Sequence, residues 1–395
     1  MCCKEGAPSG GGLQCRLVDA KERAILLKNW AEEAGFARCG VAVLQPAEHG
    51  RVFLEWLAAG RQAGMRYLER RIEARLDPRA IFPGATSVLC VALQYSEGAL
   101  APEPPGDLWP RVSRYARGAD YHDLMGKRLD RLSRRVREAF PGSRTRWYVD
   151  TGPVLERDLA AAAGLGAIGK NTCLLDPRCG SWFFLGQIFT DLTLAADQPI
   201  ADLCGSCTRC LDACPTGALP EPYTLDSNRC ISYCTIEHRG EVPESVRPHL
   251  GEWVFGCDIC QDVCPHNEQR LPDVSPEFEL GSARKQLTLA GLLSMDSAAY
   301  SQTFRGSPMK RAKLAGLKRN VAVTMGNSGN PSYVEPLVSA LKTEDTEVRR
   351  HAVWALGQLG GEVALRELES FADREQEPAV RREIEATVVR MQSAS

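Results

Sequence analysis

Two runs of cysteines constrain what this sequence can fold into more than any other feature. The first run reads C-x₂-C-x₂-C-x₃-C-P, and the second reads C-x₂-C-x₃-C-P. The cysteines of the first run are Cys204, Cys207, Cys210 and Cys214, and those of the second are Cys257, Cys260 and Cys264. The first run has the bacterial-type spacing of [4Fe–4S] ligands, in which the fourth cysteine of a run binds the cluster of the other run.

Crossing the ligands in this way predicts two clusters. The first cluster takes Cys204, Cys207, Cys210 and Cys264. The second takes Cys214, Cys257, Cys260 and one further cysteine, which is Cys230 or Cys234. Zinc is the weaker alternative, because it needs four ligands and would leave three or four of these sulfurs idle. Disulfides would have to close strained short loops among four cysteines within eleven residues.

The bulk composition limits the cellular setting. The chain has 395 residues, enough for two or three domains, and a net charge of −2 that predicts no polyanionic partner by itself. Its 16 cysteines and the absence of an apolar signal-like stretch at the start favour a reducing cytoplasm. The longest apolar run, 182–189, is too short to cross a bilayer. We therefore expect a cytoplasmic, monomeric protein without a membrane segment.

Strands and helices alternate over the first 200 residues, which predicts an α/β domain. A strand at 145–149 ends at Asp150, and ligands of such sheets bind at the carboxyl ends of strands. From this pattern alone, Asp150 is either a site residue or the N-cap of the next helix. The arginine-rich segment 65–78 is expected to be a solvated helix with Glu–Arg pairs.

The glycine-rich segment GLGAIGK at 164–170 contains G-x-G-x-x-G. It follows a predicted helix rather than a strand, so the context of a dinucleotide fingerprint is missing. Glycines also allow close approach of the backbone to a ligand. We expect this loop to touch a different large cofactor.

The last part of the chain contains internal repeats. The segments 317–329, 348–360 and 380–392 align at spacings of 31 and 32 residues, which indicates an α-solenoid. A pair of basic residues recurs at 318–319, 349–350 and 381–382. The basic residues without an intervening acid at the start of the repeats are Arg305, Lys310, Arg311, Lys313, Lys318 and Arg319. This run is either a footprint for nucleic-acid phosphates or a solvated face.

The expected architecture is a multidomain chain of α/β and α parts. The predicted domains are a flexible tail (1–18), an α/β domain (19–200), a ferredoxin domain with two [4Fe–4S] clusters (201–275) and a HEAT-like helical repeat domain (276–395).

The sequence resembles the epoxyqueuosine reductases from about residue 20 to 390. The resemblance is carried by MRYLERRIEARLDPR, SRYARGADYH, VDTGPVLERDLAAAAGLGAIGKNTCLL, RCISYCTIEHRG, SPMKRAKLAGLKRN and the cysteine runs. It implies reduction of the epoxide of epoxyqueuosine in a tRNA anticodon, with the oxygen lost as water. Electrons would pass through two [4Fe–4S] clusters to cobalamin. The resemblance thus makes the α/β domain (19–200) a cobalamin-binding catalytic domain, with a core similar to that of the cobalamin-dependent reductive dehalogenases.

The resemblance also implies roles for individual residues. It makes Cys230 the fourth ligand of the second cluster and Cys234 a bystander, and it makes Asp150 the proton donor. Chemistry requires such an acid, since the epoxide oxygen leaves poorly unless protonated, and a low-dielectric site would raise the pKa of Asp150. The residues expected near cobalamin are Ser113, Asp150, Leu155, Lys170, Asn171, Thr172, Cys173 and Leu174. Glu237 is expected to contact RNA together with the basic run. Some family members carry a cysteine at the position of Ser113, so a thiolate role is not expected here.

Two other functions compete with a tRNA-modifying reductase. A small-molecule corrinoid reductase of the dehalogenase type would share the ferredoxin and corrinoid parts, but a basic solenoid would have no purpose in it. An electron-transfer adaptor would leave Asp150 and the glycine loop idle. In either enzyme, a low-potential electron donor must supply the clusters, and the sequence does not identify it.

Overall fold

The computed structural model describes residues 19–95, 110–268, 276–278 and 286–393. The predicted tail at 1–18 lies outside the described residues. The strands are β1 (Arg38–Val43), β2 (Ser87–Gln94), β3 (Arg111–Val112), β4 (Thr145–Tyr148), β5 (Ala167–Ile168), β6 (Leu174–Leu175), β7 (Phe183–Thr190) and β8 (Trp253–Phe255). The helices of the first 200 residues are α1 (Ala20–Glu33), α2 (Gly50–Ala58), α3 (Ile72–Leu76), α4 (Tyr121–Ala139) and α5 (Glu156–Ala162).

The remaining helices belong to the cysteine-rich and repeat regions. Those among the cysteines are α6 (Arg209–Ala213), α7 (Ile231–Ile236) and α8 (Ile259–Asp262). Those of the C-terminal region are α9 (Leu289–Ser294), α10 (Ser297–Thr303), α11 (Lys313–Asn327), α12 (Val334–Ala340), α13 (Thr346–Leu359), α14 (Glu362–Ala372) and α15 (Pro378–Ser393).

The first domain is built on a four-stranded sheet with the order β1-β2-β7-β4. Every neighbouring pair in this sheet is antiparallel, so the parallel-sheet rule that placed ligands at carboxyl ends of strands does not apply. Side chains alternate between the two faces of each strand, and apolar residues on both faces are covered. Leu27 of α1 and Leu129 of α4 pack on one face, and Leu159 of α5 packs on the other.

The sequence locates the main elements well, except in the arginine-rich segment. There the expected continuous helix is absent: a 3₁₀ helix (Arg66–Glu69) and α3 are separated by Arg71 at φ +54°. The Arg75 side chain is buried and donates to the carbonyls of Tyr67 and Arg70. The expected Glu–Arg pairs do not form among the described residues of this segment.

The cysteine-rich region and the repeats share one hydrophobic core. β3 pairs in parallel with β8, which brings residues just before Ser113 beside the second cysteine run. The core continues from Val254 of β8 through Val321 of α11 and Val353 of α13 to Ile384 of α15. A continuous core predicts that the repeats are held firmly against the ferredoxin region. None of the helices in the described part of the chain is both long and apolar enough to span a membrane.

Candidate iron–sulfur and catalytic site

The four thiols assigned to the first cluster surround a single cavity. Cys204, Cys207, Cys210 and Cys264 line a space of about 220 Å³ together with Lys170. The backbone N–H of Lys170 donates to the sulfur of Cys204 over 3.4 Å, and N–H···S bonds of this kind accompany iron–sulfur clusters. In the described residues, no three His, Cys, Asp or Glu side chains come close enough to hold a single metal ion. The cavity and its donor set fit a four-iron cluster.

The structure also brings together the thiols assigned to the second cluster. Burial raises the pKa of Cys257, and the neighbouring Cys230 and Cys214 raise it further because their charges act on it. Burial also raises the pKa of Cys260, and the charges of Cys257 and Cys230 raise it further. The N–H of Ala218 donates to the sulfur of Cys214 over 3.3 Å. This set fits a second cluster.

The position of Cys234 separates it from that set. Its side chain is fully buried in the apolar core, and its sulfur faces the carbonyl of Asn228 at 3.9 Å. Cys230 is instead the N-cap residue of α7 and lies near Cys214 and Cys257. The geometry therefore favours Cys230 as the ligand, as the resemblance implies.

Asp258 connects the second cysteine run to the catalytic domain. Its carboxylate accepts hydrogen bonds from the hydroxyl of Ser113 and from the N–H of Arg114, the latter at 2.7 Å. The Arg114 guanidinium bonds Asp262 over 3.1 Å and lies over the ring of Trp182. Ser113 is thus buried and bonds the ferredoxin region, and its hydroxyl is engaged by the Asp258 carboxylate.

Asp150 lies just beyond β4, in a loop with unusual backbone geometry. Its φ is +54°, a left-handed conformation that non-glycine residues adopt rarely and that often marks functional positions. Its carboxylate accepts from the Tyr121 hydroxyl at 3.0 Å and lies 3.2 Å from Nε2 of His122. Its N–H donates to the Glu156 carboxylate over 3.2 Å. Asp150 is therefore not a helix N-cap, since α5 begins at Glu156.

The expectation of a raised pKa for Asp150 is wrong in this structure. Burial acts to raise the pKa, but hydrogen bonds from His122 and Tyr121 and the charges of His122 and Arg311 outweigh it and lower the pKa. Burial also acts against the charged form of His122, but Asp120 and Asp150 raise its pKa to about 9. Burial and the charge of Asp150 raise the pKa of Glu156 to about 7. Near neutral pH, the proton of the His122–Asp150 pair is on His122.

Three side chains from distant parts of the sequence meet beside Asp150. The Arg311 guanidinium forms two 2.8 Å hydrogen bonds with the Glu237 carboxylate and lies 5.7 Å from the ring centre of Tyr67. Burial raises the pKa of Tyr67 to about 12, with further contributions from Glu237 and Asp150. Tyr67 is only partly covered, since 41% of it remains exposed, so part of its ring is available at the cleft.

The residues expected near cobalamin divide into two groups. Lys170 donates to the carbonyls of Gly205 and Cys207, and Asn171 donates to the carbonyl of Cys260, so these two side chains bond the ferredoxin region. Leu174 is buried in β6. Leu155, Thr172 and Cys173 are only partly buried. Arg157 donates to the carbonyl of Thr172 and so joins this loop to α5.

The glycines of GLGAIGK have a structural explanation. A Cβ on Gly166 would lie 2.3 Å from the carbonyl oxygen of Leu175, so only glycine allows β5 and β6 to pair. Gly164 adopts φ +71° at the end of α5. The expected role in touching a cofactor is not needed to explain these glycines.

The expected RNA contacts also divide. Arg305, Arg311 and Lys313 are exposed, and Lys310 and Lys318 are half-buried. Arg319 is wrong as an RNA contact, because only 1% of it is exposed and its guanidinium bonds backbone carbonyls.

The repeated basic pairs do not form a continuous stripe. Arg349 bonds Glu375 at 2.7 Å, and Arg350 bonds Glu241 and Glu383 at 2.6 and 3.2 Å. The repeat position is therefore used for ion pairs within the interface rather than for a uniform basic surface.

Sequence reasoning missed the partners of Asp150. Tyr121 and His122 stand in the quoted segment SRYARGADYH, and His122 is one of only six histidines. A local pattern that could have indicated this site is Asp120, two residues before His122. In the structure the Asp120 carboxylate lies 2.8 Å from Nδ1 of His122. Nothing local linked this segment to Asp150.

Comparison with known proteins identifies three family models in the chain. The model described as 4Fe-4S double cluster binding domain matches residues 203–267. The model described as Epoxyqueuosine reductase QueG, DUF1730 matches residues 75–151. The model described as HEAT repeats matches residues 312–388. The predictions of a two-cluster ferredoxin region and of HEAT-like repeats are confirmed.

Relatives resemble the chain over most of its length. The epoxyqueuosine reductase of Xanthomonas campestris pv. campestris is 39% identical over 351 residues, which are 87% of this chain and 98% of the relative. A crystal structure of epoxyqueuosine reductase with an epoxyqueuosine-modified tRNA-Tyr stem loop matches with a TM-score of 0.85 and 29% identity, over 93% of this chain and 98% of that one. A structure of the Bacillus subtilis enzyme with its catalytic aspartate loop swung out of the active site matches with a TM-score of 0.86 and 29% identity, over the same shares.

Proposed function

Because this chain belongs to the epoxyqueuosine reductase family, we propose that it reduces the epoxide of epoxyqueuosine in tRNA to the alkene of queuosine. The reaction takes up two electrons and two protons, breaks both carbon–oxygen bonds of the epoxide and releases water. The single observation that carries the proposal is the His122–Asp150 pair, since it holds a proton beside Arg311, whose partner Glu237 ends the helix that begins at Cys230. The small-molecule alternative has no comparable support.

The chain's own cysteines would hold two [4Fe–4S] clusters. The first set is Cys204, Cys207, Cys210 and Cys264, and the second is Cys214, Cys230, Cys257 and Cys260. Such clusters supply carriers of single electrons. Both sets touch the catalytic domain, the first through the bond from Lys170 to Cys204 and the second through the bond from Ser113 to Asp258. A low-potential electron donor is required to reduce these clusters.

Cobalamin would bind beside the Asp150 loop. The chemistry of this region fits a large group with polar substituents, because the Tyr148 hydroxyl is buried without a hydrogen-bond partner in the described part of the chain. Leu155, Thr172 and Cys173 also keep accessible surface, and Thr172 is tied to α5 through Arg157. When bound, cobalamin supplies a reduced metal able to deliver two electrons to the carbon–oxygen bond.

The protein side of the reaction is proton supply. In the free protein the proton is on His122, and Asp150 is the member of the pair that is 53% exposed to the cleft. Covering Asp150 with substrate increases its desolvation, which raises its pKa and transfers the proton from His122 to Asp150. The neutral carboxyl then protonates the epoxide oxygen. Glu156, whose pKa of about 7 lets it hold a proton near neutrality, is the source of the second proton beside the same loop.

The RNA would approach from the side of Tyr67 and Arg311. The exposed Arg66 and Arg70 flank the loop around Tyr67, and neither has an ion-pair partner among the described residues. Lys310 and Lys313 lie beside Arg311 on the other side. Phosphates would therefore meet basic residues on both sides of the cleft, while the modified base is splayed toward Asp150.

The proposal is tested with anaerobically purified protein carrying reconstituted clusters and cobalamin. We expect a chemical reductant to drive conversion of epoxyqueuosine in an anticodon stem loop, detected as loss of one oxygen by mass spectrometry of the nucleosides. Asp150→Asn is the matched control with the same cofactors. Failure of the fully loaded wild type to convert the stem loop would contradict the proposed function.

A further inference from the structure

Two buried polar residues lie in the middle of α11, the first helix of the HEAT-matching region. Arg319 is 1% exposed, and Asn320 is 0% exposed. Burying such groups is costly unless each of their polar atoms finds a partner, so their partners indicate what the helix is fixed to. In the described part of the chain, neither residue bonds a side chain of another repeat. Apart from bonds to each other, their hydrogen-bond partners are backbone carbonyls of the ferredoxin region.

Arg319 binds the end of helix α7 and the turn that follows it. Its guanidinium donates to the carbonyls of Cys234 at 2.7 Å, His238 at 3.0 Å and Gly240 at 2.6 Å. The last four carbonyls of a helix have no partner within the helix, so α7 needs donors from elsewhere. Arg319 supplies one of them, to the carbonyl of Cys234.

Asn320 joins α7 to β8. Its amide donates to the carbonyl of Thr235 at 2.8 Å and to the carbonyl of Val254 at 2.9 Å. The Thr235 hydroxyl in turn accepts the N–H of Gly256 at 2.9 Å. One amide and one hydroxyl therefore fix the separation of these two elements.

Both elements lead directly to thiols of the second cluster. Cys230 is the N-cap residue of α7, and Cys257 follows β8 and Gly256. The first set of thiols is secured differently, through Lys170 and its bonds to Cys204, Gly205 and Cys207. The contacts made by Arg319 and Asn320 of α11 therefore hold the elements of the second cluster site, and not those of the first.

We propose that Arg319 and Asn320 are positioning residues for the second [4Fe–4S] cluster, which they serve by holding Cys230 and Cys257 at the correct separation. This inference rests on the proposed cluster ligands but not on the identity of the substrate. The helical repeat region then has a role in electron supply that is separate from RNA binding. Arg319 belongs to the first role, and the neighbouring Lys310 and Lys313 belong to the second.

The test compares iron content, sulfide content and the electron paramagnetic resonance spectrum of the reduced protein. In Arg319→Met and Asn320→Ala we expect iron to fall from about eight to about four per folded chain, with the signal of one cluster kept. Their affinity for a tRNA anticodon stem loop should stay within about twofold of wild type, because neither side chain reaches solvent. Arg319→Lys should retain part of the second cluster, since an ammonium can still donate to some of the carbonyls.

Arg247→Met is the matched control. Arg247 is also a fully buried arginine at the contact of the repeats with the ferredoxin region, but it bonds Glu383, Glu241 and the carbonyl of Val242. We expect this variant to melt earlier and yet to keep about eight irons per folded chain.

The outcomes separate the possibilities. Eight irons and an unchanged spectrum in both Asn320→Ala and Arg319→Lys would overturn the inference, and these variants decide the matter if Arg319→Met does not fold. Equal loss of iron in Arg247→Met would also overturn it, because the effect would then be general damage to the interface. Wild type with two clusters but no epoxyqueuosine reduction would refute the proposed function and leave this inference standing.

Discussion

The imidazole of His122 lies between two carboxylates, with Nδ1 2.8 Å from Asp120 and Nε2 3.2 Å from Asp150. Two negative partners stabilise the imidazolium, which is why the pKa of His122 is raised to about 9 and that of Asp150 is lowered. The pair shares one proton across a wide pH range. Its exposed end is the carboxylate that faces the cleft.

Replacing Asp150 by asparagine should remove the proton that reaches the epoxide oxygen. Asparagine tolerates the left-handed backbone at this position, so the loop should keep its shape. We expect turnover of the cofactor-loaded protein to fall on the order of 10²-fold or more, the usual contribution of a positioned acid. Single-turnover conversion of the stem loop measures this. Near-normal turnover with full cofactor content would show that another group is the acid.

His122→Gln should change the pH dependence. The raised pKa of His122 contributes stability that is complete below its ordinary value and is lost as pH rises through about 9. The lowered pKa of Asp150 contributes stability above its ordinary value that is lost as pH falls through the lowered one. Because the reaction uses the proton held by His122, wild-type turnover should fall above about pH 9, where His122 loses it. Turnover of His122→Gln should be slower by about tenfold or more and should lack this decline at high pH, the basic limb of the profile.

His249→Gln is the control for this experiment, since His249 is exposed and far from Asp150 in sequence. It should reproduce the wild-type pH profile. A basic limb that persists unchanged in His122→Gln would mean that a different group titrates there.

Cys230 and Cys234 should respond oppositely to replacement by alanine. Cys230→Ala should lose one of the two clusters, because its thiol lies with Cys214 and Cys257. Cys234→Ala should keep both and lose only some stability, because its sulfur is buried in the apolar core. Iron and sulfide analysis distinguishes the two variants, and the reverse result would exchange the ligand assignment.

Basic residues on both sides of the cleft should contribute to RNA affinity. Lys310→Glu with Lys313→Glu, and separately Arg66→Glu with Arg70→Glu, should weaken stem-loop binding and flatten its salt dependence. For each lost phosphate contact, the slope of log K against log salt should decrease by about 0.7 to 0.9. Arg311 is left intact in both variants because its ion pair with Glu237 is part of the cleft.

A matched pair at the far end of the repeats tests how far the RNA surface extends. Arg381 and Arg382 are exposed and occupy the repeat position of Lys318 and Arg319. Arg381→Glu with Arg382→Glu should leave affinity and salt slope unchanged. An effect equal to that of the cleft variants would show that the RNA surface extends along the repeats to Arg381 and Arg382.

The sequence predicted best what depends on local spacing. Cysteine ligands lie within short turns, so their spacing alone determines which cluster type fits. Asp150 could be predicted as a site residue because it follows a strand and matches a family motif. Its pKa could not be predicted, because the groups that lower it are 28 and 29 positions away in the sequence.

In the repeat region, the sequence predicted the repeats but not the exposure of individual residues. Periodicity identified the repeats and the equivalence of Arg319 with Arg350 and Arg382. It could not tell which equivalent positions face solvent, because that depends on what each helix packs against. Arg319 meets the ferredoxin region, Arg350 meets Glu241 and Glu383, and Arg382 meets solvent. The alternation of strands and helices likewise could not predict that the strands of the sheet pair antiparallel.

Helix α7 has Cys230 at its first boundary and Glu237 at its last. Six residues rise about 9 Å at 1.5 Å each, which is too short a span for an α-helix to bend appreciably. A displacement of the Glu237 carboxylate, such as a nucleotide competing for Arg311 would cause, should therefore reach Cys230 through a rigid helix. We expect substrate binding and the surroundings of this proposed ligand to be mechanically coupled through less than two turns of backbone.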